Sequence, residues 1–150
     1  MAKRILVVED NEDSRFILVA TLHCIGYETI EAKTGTQGVE KALSEKPDLI
    51  VMDLGLPGMS GIDAARAVKE NLTTAHIPII ACSALSPSRW KEEVLKVGMV
   101  DYLEKPVSWE LMKATIEKFI VSQEKESGKK ARTVCGQNKN SSFKTAAAKR

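Results

Sequence analysis

Cysteine is scarce in this 150-residue chain, and Cys24, Cys82 and Cys135 are odd in number and far apart. That usage suits a reducing cytosol, and no pair has zinc-ligand spacing. Cys24 and Cys82 lie within apolar segments, so both are expected to be small core residues. No apolar run approaches the roughly 20 residues that a membrane span needs, so no membrane insertion is expected. The opening Met1-Ala2-Lys3-Arg4, followed by a short apolar run, is too brief for a signal peptide. Histidine is limited to His23 and His76, and neither stands in a setting that suggests catalysis.

What is present fits one domain large enough to bury a core without staples. The net charge of +2 conceals an asymmetry. Eight of the basic residues but only two acids, Glu124 and Glu126, fall in 122–150. Residues 1–121 are therefore mildly acidic, and residues 122–150 form a basic tail. The tail has one aromatic, Phe143, among Lys, Ser, Gly, Asn and Ala. It cannot bury enough apolar surface to offset its ordering entropy, so disorder is expected from 122 to 150. Nucleic-acid binding is not expected, because no aromatic interleaving or recognition motif accompanies the tail's charge.

Along residues 3–121, short apolar runs alternate with longer amphipathic stretches. Strands are expected at about 4–8, 28–32, 48–52, 77–82 and 100–103. Helices are expected at about 13–25, 35–45, 61–70, 87–97 and 108–121. Phe16, Val19, Leu22 and Ile25 are among the apolar positions of the first helix, and Gly26 stops it. Glu12 and Asp13 are expected to cap and stabilise the N-terminus of that helix. Pro78 sits near a strand start, where a missing donor is tolerated. Pro87 lies in the first turn of the fourth helix, and Ser108 caps the last. Core packing is expected for Trp109, while Trp90 is either core or an exposed anchor. Alternating strands and helices specify βα units with right-handed crossovers. Five strands favour the flavodoxin-like (βα)5 doubly wound parallel sheet, order 2-1-3-4-5.

That order sets strand 1 beside strand 3 and brings Glu9 and Asp10 next to Asp53. Each acid follows a buried apolar run, at the sheet edge where ligands collect. Three clustered carboxylates repel one another unless a cation intervenes. Hard oxygen donors with no His or Cys nearby favour Mg2+ over zinc. Ser83 and Lys105, at two more strand ends, resemble the other half of a phosphoryl site, the ammonium giving charge and the hydroxyl a hydrogen bond. One carboxylate could then act as a nucleophile and form an acyl phosphate.

Residues 3–121 resemble a response-regulator receiver domain, the CheY-like fold of two-component signalling. The resemblance is carried by Val7-Val8-Glu9-Asp10, by Asp53 with Pro57, Gly58 and Gly61, by Ser83-Ala84, and by Gly98 with Asp101-Tyr102-Leu103-Glu104-Lys105-Pro106. It implies that Asp53 accepts phosphate from a sensor histidine kinase or a histidine phosphotransfer protein. It implies Mg2+ held by Asp10, Asp53 and the backbone carbonyl of Gly55, with Glu9 acting through water. Ser83 and Lys105 would bind the phosphoryl group, Lys105-Pro106 would be cis, and Tyr102 would swing inward as the Ser83 hydroxyl moves. Glu9 replaces the commoner Asp, Met99 stands where Ala is usual, and Gly55 and Leu85 occupy positions that tune phosphoryl lifetime. The stretches Glu9-Asp10-Asn11-Glu12 and Lys105-Pro106-Val107-Ser108 look more like the cell-cycle DivK type than the chemotaxis type.

The function expected is a stand-alone, cytoplasmic, phosphorylation-driven switch whose helix 4, strand 5 and helix 5 surface binds an unidentified downstream protein. It would be a monomer or a weak phosphorylation-linked dimer, and no enzyme beyond Mg2+-dependent self-phosphorylation and autodephosphorylation. The alternative is a phosphorelay intermediate that passes its phosphate to a histidine, which uses the same residues. A haloacid-dehalogenase-type phosphohydrolase needs a second Asp two residues past Asp53, where Gly55 stands. A flavodoxin-type nucleotide binder needs a Ser/Thr/Gly-rich loop where this chain has Glu9-Asp10-Asn11-Glu12-Asp13.

Overall fold

Consecutive apolar strands and short connections build a five-stranded parallel sheet in a computed structural model that describes residues 2–131, with side chains to residue 120. The strands are β1 (Arg4–Val8), β2 (Glu28–Ala32), β3 (Leu49–Met52), β4 (Ile79–Ser83) and β5 (Asp101–Glu104). The helices between and after them are α1 (Glu12–Ile25), α2 (Gly35–Glu45), α3 (Gly61–Glu70), α4 (Pro87–Lys96) and α5 (Trp109–Ala131). The strand order is β2-β1-β3-β4-β5, all pairs parallel, as the sequence predicts. Val8 pairs with Met52, so the residues that follow each strand emerge side by side.

Both faces of the sheet are covered, which is why its central strands read as continuous apolar runs. Leu6, Val8, Ile50, Met52, Ile79, Ala81 and Tyr102 pack with Ala42 of α2, Ala64, Ala65 and Val68 of α3, and Val94 of α4. Alternation sends Ile5, Val7, Val51, Ile80 and Cys82 to the opposite face, where Leu18, Leu22, Met112 and Ile116 are also buried. Gly38 lets α2 approach β1, since a Cβ there would lie 2.8 Å from Val8 Cγ2. Gly26 ends α1 at φ 113°, a left-handed cap that glycine adopts without strain.

Several sequence-based expectations are corrected. The N-cap of α1 is Asn11, whose side chain accepts from Ser14 N–H, and Glu12 and Asp13 occupy the first turn instead. A short amide side chain reaches that N–H, and the acids then face the positive helix end. Pro78 precedes β4, which begins at Ile79 and includes Ser83. Phe16 is 72 % exposed, because the buried stripe of α1 runs Arg15, Leu18, Leu22 at helical spacing. Cys24 is exposed while Cys82 is buried, and Trp109 is 57 % exposed at the start of α5. Trp90 is partly buried against the core and under the Arg89 guanidinium.

Helix α5 continues through 122–131, a stretch expected to be disordered. Gln, Glu, Lys and Ala favour helix, no proline interrupts, and Glu126 precedes Lys130 by four residues. The remainder of the expected disordered tail, 132–150, lies outside the described residues, as does Cys135. The chain divides into two units, Met1–Ile116 and Glu117–Arg150. Among the described residues no helix is long and apolar enough to cross a membrane.

Candidate functional site

The carboxyl ends of β1 and β3 deliver the acids. Asp53 N–H donates to Val8 O at 3.0 Å, so the β1–β3 ladder runs one residue beyond the strands and Asp53 stands beside Glu9. Carboxylate oxygens of Glu9, Asp10 and Asp53 lie within 4.8 Å of one another. They differ in solvation: Glu9 is buried, Asp53 half-buried and Asp10 exposed. Hard oxygens at this spacing suit a small divalent cation that keeps part of its water shell on the open side. The donor set therefore fits Mg2+.

Lys105 reaches the same cluster from the end of β5. Its ammonium bonds Glu9 Oε1 and stands 3.8 Å from Asp53 Oδ2. Lys105 N–H donates to Ser83 O at 2.9 Å, which ties β5 to β4 at this edge. The Lys105-Pro106 peptide is cis, as the family resemblance implies. Burial alone would lower the lysine's pKa, but the Glu9 bond and the charges of Asp53 and Glu9 outweigh it and raise it. Burial raises the pKa of Glu9, against the lowering effects of Lys105 and the Asn11 N–H. Lys105 therefore stays charged, and Glu9 ionises less readily than a surface carboxylate.

Ser83 and Tyr102 form a second group beside the first. Ser83 is buried and its Oγ accepts the Leu85 N–H at 3.3 Å. The Tyr102 hydroxyl donates to Leu85 O at 2.6 Å. Burial pushes the phenol pKa up, and a hydrogen bond with Ser83 acts against that. The tyrosine already occupies an inward position. Gly55 N–H donates to Asp53 Oδ1 at 3.2 Å, which orients the carboxylate. Gly61 is required by close approach: a Cβ there would lie 2.1 Å from Asp53 O and 2.8 Å from Leu54 Cα.

One residue of this site escaped the sequence reading. Arg15, 7 % exposed, donates from a terminal guanidinium nitrogen to Glu9 O at 2.9 Å and from Nε to Glu31 Oε1 at 3.0 Å. The signal available was its spacing, three residues before Leu18 and seven before Leu22, which places a charge on the buried stripe of α1. His23 bonds Thr29 Oγ1 on the exposed side of α1 and β2, and His76 lies in the exposed segment before β4.

Comparison with known proteins finds relatives in sequence and in fold. The family model described as the response regulator receiver domain matches residues 5–117. The chain is 32 % identical over 120 residues to the polar-differentiation response regulator DivK of Brucella ovis, covering 80 % of this chain and 98 % of that protein. Among solved structures, the receiver domain of a sensor histidine kinase from Pseudomonas aeruginosa PAO1 is 31 % identical with a TM-score of 0.76. It matches 81 % of this chain and 99 % of its own, and carries a magnesium ion coordinated in its active-site cleft. Chemotaxis protein CheY4 of Vibrio cholerae is 27 % identical with a TM-score of 0.75, matching 79 % of this chain and 99 % of its own.

Proposed function

This chain belongs to the response regulator receiver family of two-component signalling, and we propose accordingly that Asp53 is its phosphoacceptor. The observation that carries the reading is the convergence of three acids and one ammonium at the carboxyl edge of the sheet. A carboxylate oxygen of Asp53 forms a new P–O bond while the P–N bond of a phosphohistidine donor breaks. The freed imidazole nitrogen keeps the electron pair. Bound Mg2+ would be held by Asp10, Asp53 and the Gly55 carbonyl, with Glu9 acting through water, and would offset the charge of the phosphoryl oxygens. Lys105 exchanges part of its contact with Glu9 for a phosphoryl oxygen, and the Ser83 hydroxyl donates to another.

Moving the Ser83 hydroxyl alters its contact with the N–H of Leu85, whose carbonyl accepts the Tyr102 hydroxyl. The β4–α4 connection is thereby coupled to the phosphorylation state, and the α4–β5–α5 surface changes population for a downstream protein. The donor is a sensor histidine kinase or a histidine phosphotransfer protein, and small phosphodonors also serve. Turnover is limited to self-phosphorylation and loss of that phosphate, since Gly55 stands where a hydrolase's general acid belongs. The reading includes an organisation of receiver body 1–121 and basic tail 122–150, and a cytoplasmic location in keeping with free Cys24 and Cys82. The body acts as a monomer or as a weak dimer linked to phosphorylation.

Incubation with Mg2+ and acetyl phosphate, followed by intact-mass measurement and Trp fluorescence, tests the assignment. Wild type gains one phosphoryl group, and Asp53→Ala gains none. No change in wild type, or an equal gain in Asp53→Ala, overturns it.

A further inference from the structure

A guanidinium is rarely buried without a partner that needs it. Arg15 is buried, yet its carboxylate partner Glu31 is half in solvent, a pairing that contributes little to stability alone. Its other contact is more informative. The Glu9 carbonyl that it holds is the main-chain link between Glu9 and Asp10, the two acids from the β1–α1 turn.

The rest of that turn is fixed at separate points. Glu9 N–H donates to Ala32 O at 3.0 Å, and Glu9 Oε2 accepts the Asn11 N–H at 3.1 Å. Asn11 caps α1 through Ser14 N–H at 2.8 Å. The orientation of the peptide plane between Glu9 and Asp10 is held from behind by Arg15, through a hydrogen bond buried at both ends. Without that donor, the Glu9 carbonyl must turn toward water to be satisfied. Rotating the peptide moves Asp10, whose carboxylate is the most exposed of the three.

We propose that Arg15 is the positioning residue of the metal centre, its guanidinium locking the Glu9–Asp10 peptide so that both carboxylates face Asp53. Glu31 acts one step further out by orienting Arg15. The inference rests on the Mg2+-dependent phosphoacceptor reading given above. Groups that orient metal ligands from behind typically change metal affinity by about 10- to 100-fold when removed.

The test is Mg2+ binding by isothermal titration calorimetry on the full chain, with the thermal midpoint of each protein measured without Mg2+. Arg15→Met, which keeps the length of the stem, binds Mg2+ about 10-fold more weakly. Glu31→Gln weakens binding in the same direction by roughly two- to five-fold. The double variant is no weaker than Arg15→Met, because both changes act on one contact. A purely structural role would lower the thermal midpoint without moving the Mg2+ affinity. If wild type binds no Mg2+, the phosphoacceptor reading falls and this inference with it. If wild type binds and folded Arg15→Met binds within two-fold of it, only the role of Arg15 is overturned. Should Arg15→Met fail to fold, Glu31→Gln decides: unchanged affinity overturns the role, and weaker binding with an unchanged midpoint supports it.

Discussion

Cys82, at the end of β4, has its thiol pKa pushed up to about 12 by burial, with a smaller lowering by the Lys105 charge and smaller further raising by Asp53 and Glu9. At pH 8 about one thiol in ten thousand is thiolate, the reactive form. Cys24 lies in the open. Iodoacetamide at pH 8 therefore labels Cys24 on the native protein and spares Cys82, which reacts only after unfolding in urea. Equal native labelling, read by peptide mass mapping, would show the end of β4 open to solvent. The folded pKa of Cys82 is raised, so its contribution to stability is complete below the ordinary 9.0 and is lost as pH rises through about 12. Cys82→Ala removes that part of the alkaline instability, which urea titrations between pH 8 and 11 would detect.

The loop joining β3 to α3 shows how an element positions Asp53, the proposed phosphoacceptor. Ser60 caps α3 by accepting Asp63 N–H, and Gly61 N–H donates to Leu54 O at 3.1 Å, folding the helix start back onto the backbone after Asp53. Only a residue without Cβ fits Gly61. Gly61→Ala should destabilise by about 1–3 kcal/mol, as overpacking does, and slow phosphorylation by displacing Asp53. At Gly55, two residues beyond Asp53, a Cβ would meet nothing within 4 Å, and the backbone there has no positive φ. Gly55→Ala is thus the control, with stability unchanged or slightly raised. Urea melts compare the two, and an equal loss in both would refute the steric account. Further along, α5 runs past Val121 on helix propensity and charge spacing, without the apolar periodicity that marks its first turns.

Across the whole molecule, three carboxylates held within 4.8 Å repel one another, a repulsion that the Lys105 ammonium opposes. At the proposed site, Mg2+ would oppose that repulsion further, because it would bind the assembled cluster and not the unfolded chain. At 100 times its Kd the gain is about 2.7 kcal/mol, visible as a rise in Tm by differential scanning fluorimetry. Asp53→Ala should raise the metal-free Tm and shrink the Mg2+-induced rise. A wild-type Tm indifferent to Mg2+ would remove the metal from this account.

The order of the strands and the three acids were legible in the sequence, because a sheet covered on both faces needs unbroken apolar strands and its carboxyl edge follows from their direction. Glu9, Asp10 and Asp53 could be named from their positions just after such runs, and Lys105 from its place at the end of a further strand. The depth of each side chain could not. Cys24 and Trp109 share apolar neighbours with buried residues, yet they stand exposed, since a helix buries only the stripe that its neighbours meet. The inward Tyr102, the bond between Lys105 and Glu9 across a separation of 96 residues, and Arg15 behind the acids were decided by tertiary structure alone. Local periodicity fixes elements and their order, whereas contacts between groups distant in the chain exist only once the sheet has brought them together.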